Sequence, residues 1–244
     1  MARKKTTSEV KSSEKKSPFA EIKLNLKFKN KKQKEYNQTI KENQIVIATG
    51  PAGVGKSLCA LYTALELIKN PETPYKKLVL MVAPVQTDIE VGYLKGDLGA
   101  KLSPFAYSYL HNLADIFGEN GMSKVEELIN TGYIEILCVS FARGINLKDC
   151  ICICGETQQY TKSSFLTLIS RPTETCKMIF EGDLNQTDNK NIRRGREESG
   201  LTHAKNVLQG VEGIGIIEFD KSEIVRNPLI TKILELWDPE TYGG

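Results

Sequence analysis

The chain has 244 residues, 40% hydrophobic and 26% charged, enough for one core of ordinary size or at most two small ones. That excludes fibrous, collagen-like and disulfide-miniprotein classes. No apolar stretch reaches the roughly 18 residues a membrane helix needs, and the N-terminus opens on Lys and Ser rather than on a short basic segment leading into an apolar run, so neither a span nor a secretion signal is expected.

The net charge of +3 is unevenly placed: residues 1–35 hold 12 Lys or Arg against 4 Glu, a net +8, which leaves −5 on the rest. A Lys- and Ser-rich opening of low hydrophobicity cannot offset its ordering entropy by burial. It predicts a basic flexible tail over residues 1–25 and a single domain over 26–244, since no linker, repeat or low-complexity segment follows. Such a tail acts as a solubility element or gathers phosphate backbone near the body.

Along the chain, short apolar runs predict strands at Ile45–Ala48, Leu78–Ala83, Ile134–Val139, Cys150–Cys154, Lys177–Phe180 and Ile214–Phe219. They are continuous rather than alternating, as strands covered on both faces require. Between them, helical periodicity predicts helices at Ser57–Lys69, Phe105–Phe117, Lys124–Asn130, Ser163–Ser170, Gly200–Gln209 and Leu229–Trp237. The alternation implies an α/β fold, a mostly parallel sheet with helices on both faces. The run Cys150, Cys152, Cys154 reads as one face of a strand, where reduced Cys is a small hydrophobe. Only two histidines, His111 and His203, and no CxxC pair accompany it, which argues against zinc and for a reducing, cytoplasmic compartment.

The first strand runs into Gly50-Pro51-Ala52-Gly53-Val54-Gly55-Lys56-Ser57, which fits GxxxxGK[ST] in full and is followed at once by a helical pattern. Glycines let backbone N–H groups turn inward around phosphates, and the helix N-terminus adds partial positive charge. Lys56 is expected on the β and γ oxygens of ATP and Ser57 on Mg²⁺. Two later strand ends add groups. Glu156, after the Cys150–Cys154 strand, is placed to orient an attacking water, and Gln186, in a turn opening at Glu181, to meet the γ-phosphate.

Taken together these segments resemble the PhoH-like P-loop ATPases of phages and bacteria, whose nucleotide core is similar to that of superfamily 1 helicases. Gly92-Tyr93-Leu94-Lys95-Gly96-Asp97-Leu98 resembles the family's GFLPGDL segment, and Phe141-Ala142-Arg143-Gly144 its RG-containing loop. Gly182-Asp183-Leu184-Asn185-Gln186 matches GDxxQ, Ser199-Gly200-Leu201 the following SGL, Val225-Arg226-Asn227-Pro228 the VRHP segment, and Gln33 with Tyr36 a QxxY element. The resemblance implies a single RecA-like P-loop NTPase domain. It also implies Gln33 as an adenine contact, Glu156 as the water-orienting base, Gln186 as the γ-phosphate sensor and Arg226 as an arginine finger, with ring-shaped homo-oligomers, hexamers among them.

Two departures stand out. Gly155-Glu156 replaces the family's Asp-Glu, removing the carboxylate expected near Mg²⁺; Asp183 is a stand-in for an outer contact, and slowed hydrolysis is expected. Val82-Ala83-Pro84 lacks the Arg-Pro pair that follows the second strand in relatives. Basic residues left to meet a phosphate backbone include Arg143 and the cluster Arg193, Arg194 and Arg196, whose guanidiniums suit phosphate forks. Tyr93, Tyr107, Tyr109 and Phe141 read as packing more than as base-stacking residues. The function expected is an ATP-driven, helicase-like protein acting on single-stranded nucleic acid, RNA preferred over DNA. The alternatives are a nucleotide-loaded oligomeric scaffold with little turnover and, more weakly, a small-molecule kinase.

Overall fold

The computed structural model describes residues 18–82, 98–187 and 189–225, with positions 229, 232, 233 and 236 beyond. The GYLKGDL segment up to Asp97, Arg226 and most of the helix expected over Leu229–Trp237 lie outside the described residues.

Strands β1 (Ile45–Thr49), β2 (Lys77–Val82), β3 (Ile134–Cys138), β4 (Cys150–Cys154), β5 (Cys176–Gly182) and β6 (Ile214–Glu218) form one sheet in the order β3-β2-β4-β5-β1-β6. Every pairing is parallel. The register sets Thr49 beside Gly182 and Cys154 beside Phe180, so the carboxyl ends of β1, β5 and β4 lie in a row. Loops leaving neighbouring parallel strands at that edge are the usual place for a ligand crevice.

The helices are α1 (Lys31–Glu42), α2 (Lys56–Lys69), α3 (Leu98–Phe117), α4 (Gly121–Asn130), α5 (Lys162–Ile169), α6 (Lys190–Arg193) and α7 (Gly200–Val207). Residues of α1 to α4 join one face of the sheet in a first core, and residues of α5 and α7 join the other face in a second. Strand β4 feeds both, with Ile151 and Ile153 in the first and Cys150, Cys152 and Cys154 in the second. Both faces are covered, which is why the run is apolar throughout; Ile151 and Ile153 each contribute about 1.5–3 kcal/mol by burial. All six cysteines are free and buried, as small core residues.

The six strands fall where the sequence puts them to within two residues at each end; among the helices, α4 starts three residues early, α7 stops two residues early, and three further differences stand out. Helix α1 was not expected. Its inward face is Gln33, Tyr36, Asn37 and Ile40, the i, i+3, i+4, i+7 spacing of a buried stripe, but half of it is polar, so apolar periodicity misses it. Helix α3 starts at Leu98 and runs through Pro104, seven residues ahead of the Phe105 start expected from periodicity. Helix α6 is a single short turn capped by Asn189, whose side chain accepts from Asn191 N.

The packed body also starts earlier than residue 26. Pro18–Glu21 forms a 3-10 turn with Phe19 fully buried, edge-on to Tyr133 at 6.0 Å. Asn25 N donates to Ile116 O at 2.9 Å. Along residues 22–29, Ile22, Leu24 and Phe28 pack against the core while Lys23, Lys27 and Lys29 face out. Alternation with lysine gives this stretch a low mean hydropathy that hides its apolar side.

Candidate nucleotide site

The phosphate loop leaves β1 and is fixed from three sides. Gly50, Gly53 and Gly55 all take positive φ (146°, 90° and 85°), which aims successive N–H groups into one concavity. At Gly50 a side chain is excluded outright, because a Cβ would lie 2.6 Å from Phe219 Cβ and its carbonyl oxygen. Gly50 N donates to Gly182 O at 3.1 Å, and Val225 N to Gly53 O at 2.9 Å, so β5 and the segment leading to Arg226 both anchor the loop. From behind, Gln33 Nε2 donates to Val54 O at 2.9 Å while its Oε1 accepts from Lys29 N at 2.7 Å. Gln33 is therefore 4% exposed with its amide engaged at both ends, bracing the loop rather than facing the cleft.

A cleft of about 340 Å³ opens in front of the loop, lined among others by Lys56, Ser57, Glu156, Gln158, Glu181, Asp183 and Gln186. The sequence-derived residues Lys56, Ser57, Glu156 and Gln186 meet here, although they come from three separate strand ends. Lys56 Nζ donates to Gly50 O at 2.7 Å and Pro51 O at 2.9 Å, curling back over the loop. Burial pulls the Lys56 ammonium below its ordinary value, and Glu181, Asp183 and Glu156 oppose that by their charge.

Glu156 leads the turn after β4 with φ 52°, a left-handed conformation that costs a non-glycine residue roughly 1–2 kcal/mol. Its Oε2 accepts from Gln158 Nε2 at 2.7 Å, and Gln158 Oε1 accepts from Asp183 N at 3.2 Å. Gln158, 3% exposed, thereby ties the β4 turn to the β5 turn and fixes where the Glu156 carboxylate points. Gln186 is exposed at the rim, its N–H on Asp183 O at 3.2 Å. Asp183 Oδ1 caps the same turn through Asn185 N at 3.0 Å.

The residue that sequence reasoning passed over is Glu181. A turn was expected to open there, but β5 continues through Gly182, and Glu181 pairs in register with Ala48. It is 2% exposed. Tyr36 donates to Oε1 at 2.9 Å and Tyr109 to Oε2 at 3.2 Å, and Ser57 lines the same cleft as the carboxylate. Burial raises the Glu181 carboxyl above its ordinary value, against the opposing pull of Lys56, Ser57, Tyr36 and Tyr109. Tyr36 and Tyr109 are themselves pushed well up, first by burial and then by the Glu181 charge. Tyr109, a residue the sequence suggested for packing, stands at the floor of the cleft. The apolar run ends at Phe180 and Glu181-Gly182-Asp183 follows, so the only sequence signal for Glu181 was a carboxylate directly after the expected strand and two residues before Asp183.

The nucleic-acid candidates sit apart from this cleft. Arg193 ends α6, and Arg194 and Arg196 follow it; all three are exposed and in no ion pair among the described residues. Arg143 is exposed beside a second, polar cleft of about 290 Å³ with Val139, Ser140, Ser164 and Thr167. Tyr107 is 63% exposed, its ring 4.1 Å from that of His111. No described helix is long and apolar enough to cross a membrane.

Groups that fit a divalent cation line the cleft: the Ser57 hydroxyl and the Glu181, Asp183 and Glu156 carboxylates.

Known proteins share much of this chain. Solved structures of similar shape include the large terminase of a thermophilic bacteriophage (TM-score 0.47, 9% identity, 84% of this chain and 48% of that one) and Bacteroides Pif1 bound to ssDNA (0.40, 17%, 90% and 47%). Among curated sequences, a PhoH-like protein of Bacillus subtilis is 34% identical over 88% of this chain and 65% of its own length. A Synechocystis PhoH-like protein is 29% identical over 87% and 62%, and Protein PhoH of Escherichia coli 27% over 86% and 57%. The chain thus spans about three fifths of the length of the curated relatives it matches. The family model described as PhoH-like protein matches residues 25–238, and the chain belongs to the PhoH-like family.

Proposed function

We propose that the chain binds ATP with a divalent cation in the cleft at the ends of β1, β4 and β5 and couples its hydrolysis to single-stranded nucleic acid, RNA preferred. The observation that carries the reading is the meeting of Lys56, Ser57, Glu156 and Gln186 around one cleft. The loop amides and Lys56 bind and orient the phosphates. Glu156, held by Gln158, is aimed to accept a hydrogen bond from a water in line with the γ-phosphate. Gln186, on a turn tied to Glu156 through Gln158 and Asp183, senses whether that phosphate is present. A bound Mg²⁺ supplies charge neutralisation at the phosphate oxygens.

The exposed Arg193, Arg194 and Arg196 follow the Gln186 turn in the chain, and this supports nucleic acid as the partner that γ-phosphate sensing controls. The test is phosphate release with and without RNA and single-stranded DNA at two salt concentrations, for the native chain and for a variant with the three arginines changed to Ala. Stimulation should be stronger with RNA, fall with salt, and be lost in the variant. Equal turnover in every arm contradicts the reading.

Gly155 favours a second reading, a nucleotide-loaded oligomeric scaffold with slow turnover. It predicts tight nucleotide binding, little phosphate release under any condition, and a change in particle size with ATP and Mg²⁺ on gel filtration. Arg226 is the residue proposed to act across such an assembly.

A further inference from the structure

We propose that Glu181 positions the divalent cation of the bound nucleotide, accepting the Ser57 hydroxyl proton so that the Ser57 oxygen lone pair faces the cation. The inference deepens the nucleotide reading and rests on it.

Three observations carry it. First, the position after β4 is closed to a carboxylate: a Cβ on Gly155 would lie 2.1 Å from Tyr109 Oη and 2.9 Å from two carbons of its ring. Tyr109 is 7% exposed on α3, so its ring occupies the space an acid at 155 would need. Second, the same tyrosine delivers its hydroxyl to Glu181, one strand over, on the strand that pairs directly with β1. The acid missing from the end of β4 is matched by an acid at the end of β5, and Tyr109 links the two positions. Third, Glu181 is a nearly fully buried carboxylate that lines the same cleft as Ser57. Burying such a group is costly unless it is paired. Tyr36 and Tyr109 take one hydrogen bond to each oxygen and fix its plane, which leaves lone pairs for Ser57 and for water bound to a cation. A partner that orients a ligand in this way usually contributes about 10–100-fold to metal affinity.

The experiment measures ADP affinity by calorimetry in EDTA and in Mg²⁺, and Mn²⁺ bound to the ADP complex by electron paramagnetic resonance, for the native chain, Glu181→Gln and Glu181→Asp. The expected result for Glu181→Gln is a gain in ADP affinity on adding Mg²⁺ that is reduced about tenfold or more relative to native, with Mn²⁺ binding weakened in parallel. Glu181→Asp, which keeps the charge and shortens its reach, should lose an intermediate share, and it decides the matter if the Gln variant does not fold. A gain on adding Mg²⁺ within about twofold of native, judged against that about tenfold expectation, in whichever variant folds overturns the inference while leaving the nucleotide reading intact. No ADP binding by the native chain, with or without metal, overturns both.

Discussion

Adding a single methyl group at Gly155 tests the packing that separates this site from its relatives. Gly155 does not have a positive φ, so Ala meets no backbone penalty there and the cost of Gly155→Ala is steric. The new Cβ would stand 2.1 Å from Tyr109 Oη, and the buried ring cannot retreat without giving up its 3.2 Å hydrogen bond to Glu181. Overpacking of this kind costs about 1–3 kcal/mol, and a lost hydrogen bond to a charged acceptor about 1.5–3 kcal/mol. We expect a destabilisation of about 3–5 kcal/mol, which for a domain of this size lowers Tm by about 6–20 °C. The assay is urea unfolding of Gly155→Ala, Tyr109→Ala and the double variant. With the ring removed the methyl has room, so its cost should fall by at least about 2 kcal/mol in the Tyr109→Ala background. Costs that add to within about 0.5 kcal/mol, or a Gly155→Ala cost below that figure, would refute the packing described. By the same geometry Gly155→Asp alone should not raise phosphate release, because Tyr109 keeps the new carboxylate from reaching the Ser57 side of the cleft.

Gln33→Ala should lower stability by about 1–3 kcal/mol through two lost buried hydrogen bonds and weaken ADP and GDP binding by the same factor; an altered ADP-to-GDP ratio with unchanged stability would instead make Gln33 a base contact. Burial pushes the Cys59 thiol from 9.0 up to about 12, so from pH 9 to 12 the unfolded chain has released a proton that the fold retains. That stabilising contribution is intact below pH 9 and is lost as pH rises, by up to about 1.4 kcal/mol per unit. Cys59→Ala should flatten the fall in unfolding free energy between pH 9 and 10.5 by that amount, and an unchanged slope counts against it.

The sheet and the phosphate loop were legible because their signals are local. A continuous apolar run bounded by turn residues marks a strand whatever packs on it, and GxxxxGK[ST] is a contiguous statement about one turn. Gln158 and Glu181 were not legible for the opposite reason: each works through partners more than 20 positions away, Gln158 through Asp183, and Glu181 through Tyr36 and Tyr109. Helix α1 was hidden because its buried stripe uses Gln33 and Asn37, which the interior satisfies with Val54 O and Thr63 Oγ1 rather than with apolar contact. The packing of the segment from Phe19 to Phe28 was hidden because the Lys-rich opening was judged by its average hydropathy, whereas Phe19, Ile22, Leu24 and Phe28 all lie against the core. Gly155 was legible as a departure, but not as a consequence of Tyr109, since nothing in the sequence says that α3 would bring a tyrosine ring into that space.

The central claim is that the loop from Gly50 to Ser57 wraps nucleotide phosphates, with Lys56 moving from its contacts at 2.7 and 2.9 Å on the loop carbonyls to the phosphate oxygens. Calorimetric titration of ADP and ATP with Mg²⁺ into the native chain and into Lys56→Ala tests it most directly. One nucleotide per chain for the native protein, and at least about a tenfold loss of ATP affinity in Lys56→Ala, is the result predicted. No heat from the native chain, or identical isotherms for the two proteins, would contradict it.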